Sequence, residues 1–464
     1  MDQIYTPGAG HLPPTGRLPG REHILEAWQR MLVQVTEAGR PRVRDVVLVG
    51  NRGVGKTVTM KRCVQLAEQT GYVRLAFQAS RDTTMVAALL EQARHQAEHQ
   101  GGAWERVVRR LSRISGGSLG IAGVSVAVDK TAQESPTPDP YNSTAIANAI
   151  GELATAIKRE SGRGGVVIAV DEFQAASGED IRALGGLLNH LNNWHAEAPV
   201  VFVATGLPST MSAMIGPDAH NPRISNPGRL FVMEDLSQYL SSDQVAEALR
   251  GPALSVGGDW EEGAIQAVVD ATAGYPAQLQ VVAAAAWSHA RPPLVREGDV
   301  AATLNLAQAE VDRMYNEPRW QALAPLQKAY ITALSLAGGE ARSGQLAAML
   351  GRTTPQVSVM RDALIKSGDI FKSSEGWVAL AQPLLATYAP LAYRATLRDE
   401  PTLPTIQDMA DRRDTYRDGR TVHAEPELSD DEVRALMSPR HPGREQQRRA
   451  SLPRTNQPPD GPRR

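Results

Sequence analysis

Cysteine occurs once in 464 residues. A single thiol, Cys63, excludes an intrachain disulfide and a cysteine-ligated metal cluster. Its helical surroundings suit a small buried side chain. Aromatic residues make up only 5% of the chain, so the cores must rest on Leu, Val and Ala. Excess charge is missing as well: 49 Lys and Arg face 51 Asp and Glu, a net −2. That excludes a global pull on nucleic acid, and any basic surface has to be local. No apolar run approaches the roughly 20 residues of a membrane span. The N-terminus lacks the pattern of a secretory leader, so the chain reads as cytoplasmic, with no membrane partner. Against these absences stand its length and an apolar content of 42%, enough for about two to four domains with real cores.

The most specific signal is Gly50-Asn51-Arg52-Gly53-Val54-Gly55-Lys56-Thr57. This GxxxxGKT run turns backbone N–H groups inward around phosphate oxygens. Its Lys56 reaches the β- and γ-phosphates, and the Thr57 hydroxyl ligates Mg²⁺. Val46–Val49 reads as the buried strand feeding the loop, and Thr57–Leu66 as the helix leaving it, with Val58 in its first turn still part of the nucleotide site. That helix points its positive dipole end at the same anion. A second strand, Val166–Val170, ends in Asp171 and Glu172. Ligands of a parallel sheet sit beyond the carboxyl ends of its strands. Asp171 is thereby expected to hold Mg²⁺ with Thr57, and Glu172 to activate a water. An adjacent second acid suits hydrolysis better than transfer to an acceptor.

Further apolar runs at 73–77, 200–204 and 230–233 alternate with helical patterns, which predicts a parallel three-layer α/β core. Glycine-interrupted alternation at 115–129 suggests a β-hairpin or mobile insert, followed by a Pro/Ser/Asp loop over 131–142. After 235 the pattern is helical only, with Ser241 and Gln244 spaced as a capping box. The expected order is an N-terminal segment (1–43), the α/β core (44–235), a helical lid (236–317), a compact module (318–395) and a mostly disordered tail (396–464). The tail holds a short amphipathic stretch at 429–437 and an arginine-rich end beyond 438.

Taken together, these motifs resemble the AAA+/STAND branch of P-loop ATPases, above all origin-recognition-like ATPases and bacterial ATP-binding proteins that add a C-terminal winged helix. The resemblance spans roughly residues 5–395 and implies ATP and Mg²⁺ as ligands. Gly20-Arg21-Glu22 matches a signature that packs near the adenine in such proteins. Thr205, after Val200–Ala204, falls at a position that lies near the γ-phosphate in the family. Gly274-Tyr275-Pro276 matches the turn of the lid, but Ala277-Gln278 follows where an arginine often stands. Arg223 and Arg229, ahead of the last core strand, fall where an arginine finger for a neighbouring subunit is often found, which implies a homo-oligomer. The resemblance thus gives Lys56, Glu172, Thr205, Arg223 and Arg229 as the catalytic candidates.

Residues 343–380 resemble a winged helix-turn-helix. Ser343–Leu350 and a helix opening at Thr354 flank Gly351, and 372–380 follows as the wing. In that reading Thr354, Gln356, Ser358 and Arg361 face double-stranded DNA, while Lys366 and Lys372 meet phosphates. An apolar surface there would instead favour a signalling ATPase whose winged helix and tail bind protein. A scaffold that binds ATP without hydrolysing it fits less well with an intact Glu172.

Overall fold

The computed structural model describes residues 3–36, 44–100, 103–115 and 139–418, apart from 9, 219, 291, 292 and 383. Residues 116–129 of the hairpin or insert expected at 115–129, residues 131–138 of the loop expected at 131–142, the stretch at 429–437 and the arginine-rich end lie outside the described residues. The chain divides into two compact units, 1–315 and 316–464.

Five short apolar strands organise the first unit. They are β1 (Asp45–Val49), β2 (Val73–Gln78), β3 (Val166–Asp171), β4 (Val200–Gly206) and β5 (Phe231–Asp235). Their order is β2-β3-β4-β1-β5, with every pairing parallel. A parallel sheet needs cover on both faces, which is why its strands read as unbroken apolar runs rather than alternating ones; β4 is buried along its whole length. The helices of this part are α1 (Glu22–Thr36), α2 (Lys56–Gln69), α3 (Met85–Gln100), α4 (Ala103–Ser115), α5 (Ser143–Ser161), α6 (Gly178–Trp194), α7 (Thr210–Ile215) and α8 (Pro227–Leu230). Val47, Ile168 and Phe202 pack with Leu89 of α3, Val108 of α4, Ile150 of α5 and Leu188 of α6. The result is the three-layer α/β P-loop core that the strand–helix alternation predicts.

Four helices follow in the same unit: α9 (Ser242–Ser255), α10 (Glu262–Thr272), α11 (Pro276–His289) and α12 (Glu297–Val311). A two-residue parallel pairing joins β6 (Asp259–Trp260) to β7 (Leu294–Val295). The capping box expected at the start of α9 is formed: Ser241 Oγ accepts from Gln244 N at 3.3 Å, and Gln244 Oε1 accepts from Ser241 N at 3.0 Å. The N-terminal segment is not independent of these helices. Tyr5 is buried edge-on to Trp260 and Trp287, with centroids 5.9 and 6.0 Å away, and its hydroxyl donates to Leu249 O at 2.5 Å.

The second unit contains α13 (Glu317–Gln321), α14 (Pro325–Leu336), β8 (Glu340–Arg342), α15 (Ser343–Met349), α16 (Thr354–Ser367), β9 (Ile370–Ser374), β10 (Trp377–Leu380), α17 (Leu385–Asp399) and α18 (Ile406–Asp418). Its small sheet is antiparallel, ordered β8-β10-β9. Buried Tyr330, Leu334, Leu346, Val357, Leu364, Val378 and Tyr393 fill one core.

One boundary needs correction. A disordered tail is expected from residue 396, yet α17 continues to Asp399 and α18 packs against α14 and α15. Among the described side chains of α18, Ile406, Met409 and Ala410 are the buried ones, and Arg413 Nη1 donates to Leu336 O at 2.8 Å. Four aspartates and three arginines hide this narrow stripe in a composition that reads as disordered. Met409 has no solvent exposure, so Met409→Ala should cost the second unit about 2–5 kcal/mol. Denaturant unfolding of the full chain checks this, and a loss below about 0.5 kcal/mol would contradict the packing.

Candidate functional site

The carboxyl ends of β1, β3 and β4 meet at one point because these strands are neighbours in the sheet. The loop after β1 opens there. Gly53 and Gly55 both take positive φ, 80° and 91°. At Gly53 a Cβ would come within 2.5 Å of the Tyr275 hydroxyl, so both backbone conformation and space demand glycine there. Lys56, the first residue of α2, is buried, and its ammonium donates to Asn51 O at 2.8 Å, spanning the loop.

Asp171 ends β3 beside it. The Thr57 hydroxyl donates to its two carboxylate oxygens at 3.0 and 3.2 Å. From β4, the buried Thr205 hydroxyl donates to Asp171 Oδ1 and accepts from the Glu172 N–H at 3.1 Å. The Glu172 N–H also reaches Asp171 Oδ1 at 3.1 Å. Glu172 sits in the left-handed region with φ 53°. For a residue with a side chain this is a strained conformation, held by its surroundings. The structure thus brings Thr57, Asp171, Glu172 and Thr205 into one hydrogen-bonded set beside Lys56.

One contributor is not legible in the sequence, and another is visible there only as part of a motif. Gln174, in the single helical turn after Glu172, donates to Glu172 Oε2 at 2.5 Å and accepts from Leu207 N at 3.0 Å. It pins the glutamate to the loop after β4. Arg21 is buried, and its guanidinium donates to Val54 O at 3.2 Å and Leu236 O at 3.4 Å. Burial lowers its pKa, against the pull of Glu22 and Asp235. The Gly20-Arg21-Glu22 signature thus clamps the glycine-rich loop to the strand exit after β5. The motif itself is the only sequence signal for it.

Comparisons with known proteins agree with this geometry. Residues 17–203 match the family described as AAA ATPase domain. The P-loop α/β core is thus similar to an AAA ATPase domain. The ORC2 protein of Aeropyrum pernix, solved as ADPNP–ADP complexes, shares 15% identity with the chain at a TM-score of 0.52, covering 86% of this chain and 98% of that one. The Walker-type ATPase of Pyrococcus abyssi shares 15% identity at a TM-score of 0.51, covering 82% and 97%. At such identities the likeness is one of fold. Residues 313–389 match a domain family of unknown function. No curated protein matches the chain.

The remaining candidates fall in both units. Arg223 is half-buried; its Nη1 donates to Ala213 O at 2.9 Å and its guanidinium lies against Gly178 and Gly216. That side chain braces its own subunit. Arg229, on α8 ahead of β5, is exposed. In the second unit, Thr354 and Lys372 are exposed. Gln356 is spent as a helix cap, accepting from Thr353 N at 2.8 Å. The Ser358 hydroxyl donates to Pro355 O at 2.8 Å, and Arg361 pairs with Asp362 at 2.9 Å. Thr353 and Gln356 carry the same spacing as Ser241 and Gln244, so the cap role of Gln356 was open to the same rule.

The donors fit the ligands that the similarity to AAA ATPase domains implies. A threonine hydroxyl and a carboxylate are hard oxygen donors suited to Mg²⁺, and they already lie within bonding distance of each other. Asn51 Oδ1 is buried with no hydrogen-bond partner, and a Cβ at Gly55 would meet open space. Among the described residues, no helix is long and apolar enough to cross a membrane.

Lys56 supplies a pH test. Desolvation is the main cause of its pKa falling to about 8, with Glu172 and Asp171 opposing and Arg52 adding to the fall. Between about 8 and the ordinary 10.5 the unfolded chain holds a proton that the fold lacks, so this group's contribution to stability rises with pH. Phosphate binding runs the other way, because it needs the ammonium. ATP affinity should fall as pH rises through about 8, and binding at pH about 9 should take up a proton. Titration calorimetry in two buffers of different ionisation enthalpy reads that uptake directly; equal heats in both would contradict the assignment.

Proposed function

We propose that this chain is an ATP-hydrolysing, Mg²⁺-dependent switch whose nucleotide state acts through its C-terminal unit. The observation that carries the reading is the joined set Thr57–Asp171–Thr205–Glu172 beside the buried Lys56. Lys56 would neutralise the β- and γ-phosphates from inside the loop, with N–H groups of residues 50–58 around it. Thr57 and Asp171 would hold Mg²⁺, which supplies charge to the transferring phosphoryl group. Glu172 would accept the proton of the attacking water. Thr205 fixes the angle between the two acids by bonding one side chain and the next backbone N–H. Arg229 is the better-placed finger for a neighbouring subunit, because Arg223 is engaged at home.

The C-terminal unit admits two outputs. Read as a winged helix, α15 and α16 form the helix-turn-helix and β9–β10 the wing, with Thr354 and Lys372 free to meet duplex DNA. The outward face of α16 favours the second reading, a protein partner. Val359 there is 80% exposed, and Arg361 is neutralised by Asp362. A major-groove helix needs donors and cations on that face. The ATPase rate with and without duplex DNA, together with duplex binding at low salt, separates the two. Binding that weakens steeply with salt restores DNA as the target; no binding leaves the protein partner.

Binding and hydrolysis should come apart by mutation. Lys56→Ala should abolish ATP binding. Glu172→Gln should bind ATP and retain it, with turnover reduced on the order of 10²–10⁴-fold. Filter binding beside phosphate release reads both, and wild-type turnover in Glu172→Gln would sink the role given to that residue.

A further inference from the structure

One cation of the glycine-rich loop is left over by these roles. Arg52 follows Asn51, whose carbonyl lies 2.8 Å from the Lys56 ammonium. That ammonium marks the β/γ end of a bound polyphosphate, so Arg52 belongs to the terminal-phosphate end of the loop. Its Nε is buried without a hydrogen-bond partner. Among the described residues its guanidinium has neither a hydrogen bond nor an ion pair. It lies close enough to Lys56 to oppose that group's charge. Two neighbouring cations, one of them lacking an anion, are costly in a half-buried loop and become favourable only when a polyanion joins them.

The lid holds this residue in place without supplying charge itself. The Tyr275 hydroxyl donates to the Arg52 carbonyl. Tyr275 caps α11 and packs edge-on to Tyr239, with centroids 5.3 Å apart. A Cβ at Gly53 would meet the Tyr275 hydroxyl at 2.5 Å and the Ala277 Cβ at 2.8 Å. The lid residues that meet the loop, Tyr275 and Ala277, carry no charge. The positive charge at this corner therefore comes from the loop.

We propose that Arg52 is a γ-phosphate contact supplied in cis from the loop, so that the site distinguishes ATP from ADP through Arg52 rather than through the lid. A guanidinium there adds charge-assisted hydrogen bonds to oxygens that ADP lacks. Tyr275 would keep the Arg52 backbone in the position from which the side chain reaches them.

The inference rests on the ATP-site reading, and the experiment separates the two. Affinities for Mg²⁺–ADP and for the Mg²⁺ complex of a non-hydrolysable β,γ-imido analogue of ATP are measured by calorimetry. Wild type, Arg52→Ala and Arg52→Lys are compared at a protein concentration where wild type is monomeric. Arg52→Ala should weaken the triphosphate analogue about 10- to 100-fold and leave ADP within about twofold, so ADP affinity doubles as the folding control. Arg52→Lys should recover part of the loss, since it restores charge without the planar fork. Equal losses for both nucleotides, or no loss for either, overturn the role of Arg52 and leave the site reading intact. A wild-type chain that binds neither nucleotide overturns both.

Discussion

The carboxylate of Asp171 is where the site is tied together. It accepts from Thr57 at the start of α2 and from Thr205 at the end of β4, and its neighbour's N–H bonds to the same oxygen. Three elements spread over residues 57–205 converge on one acid. That convergence is possible only because β3, β4 and β1 are adjacent and parallel, so their carboxyl ends share one edge. Remove the acid and the Thr57 and Thr205 hydroxyls lose a shared acceptor, buried or half-buried, which is costly in a site of this kind. The same carboxylate is the proposed ligand for Mg²⁺, so the geometry that supports the fold locally also underlies the chemistry proposed for it.

Around that point, three constraints hold the glycine-rich loop. Arg21 bonds Val54 O from one side, Tyr275 bonds Arg52 O from the start of α11, and Lys56 bonds Asn51 O from within. Two of the three carbonyls are held by groups from distant parts of the chain. A displacement of the loop by phosphate would therefore be felt at once by α1 and α11. Glu172 is similarly positioned by parts outside itself, through Gln174 and Leu207. Its left-handed backbone is a local cost that this network offsets.

Much of this was readable from sequence because local patterns encode it. An apolar run ending in glycine gave β1 and its loop, and one ending in Asp-Glu gave β3 and the acids. Ser241 and Gln244 named a helix start. Contacts that depend on long-range partners were not readable. The importance of Gln174 comes from a backbone N–H 33 residues away, and Arg21 reaches Leu236 across 215 residues. The helix α18 failed for another reason, since three buried side chains are too few to lift a charged segment above a disordered composition. Arg223 and Gln356 show the reverse error. Residue type and position suited them to a charged or base-reading role, but nearby carbonyl and N–H groups claim their side chains first.

The Asp171 network is proposed to be a hydrolytic centre. A single-turnover measurement tests this most directly: wild-type protein in excess over labelled ATP, with Mg²⁺ in one arm and a chelator in the other. The arrangement predicts stoichiometric conversion to ADP and phosphate with Mg²⁺ and none with the chelator. ATP that stays bound and uncleaved in the presence of Mg²⁺, or cleavage indifferent to the metal, would contradict it.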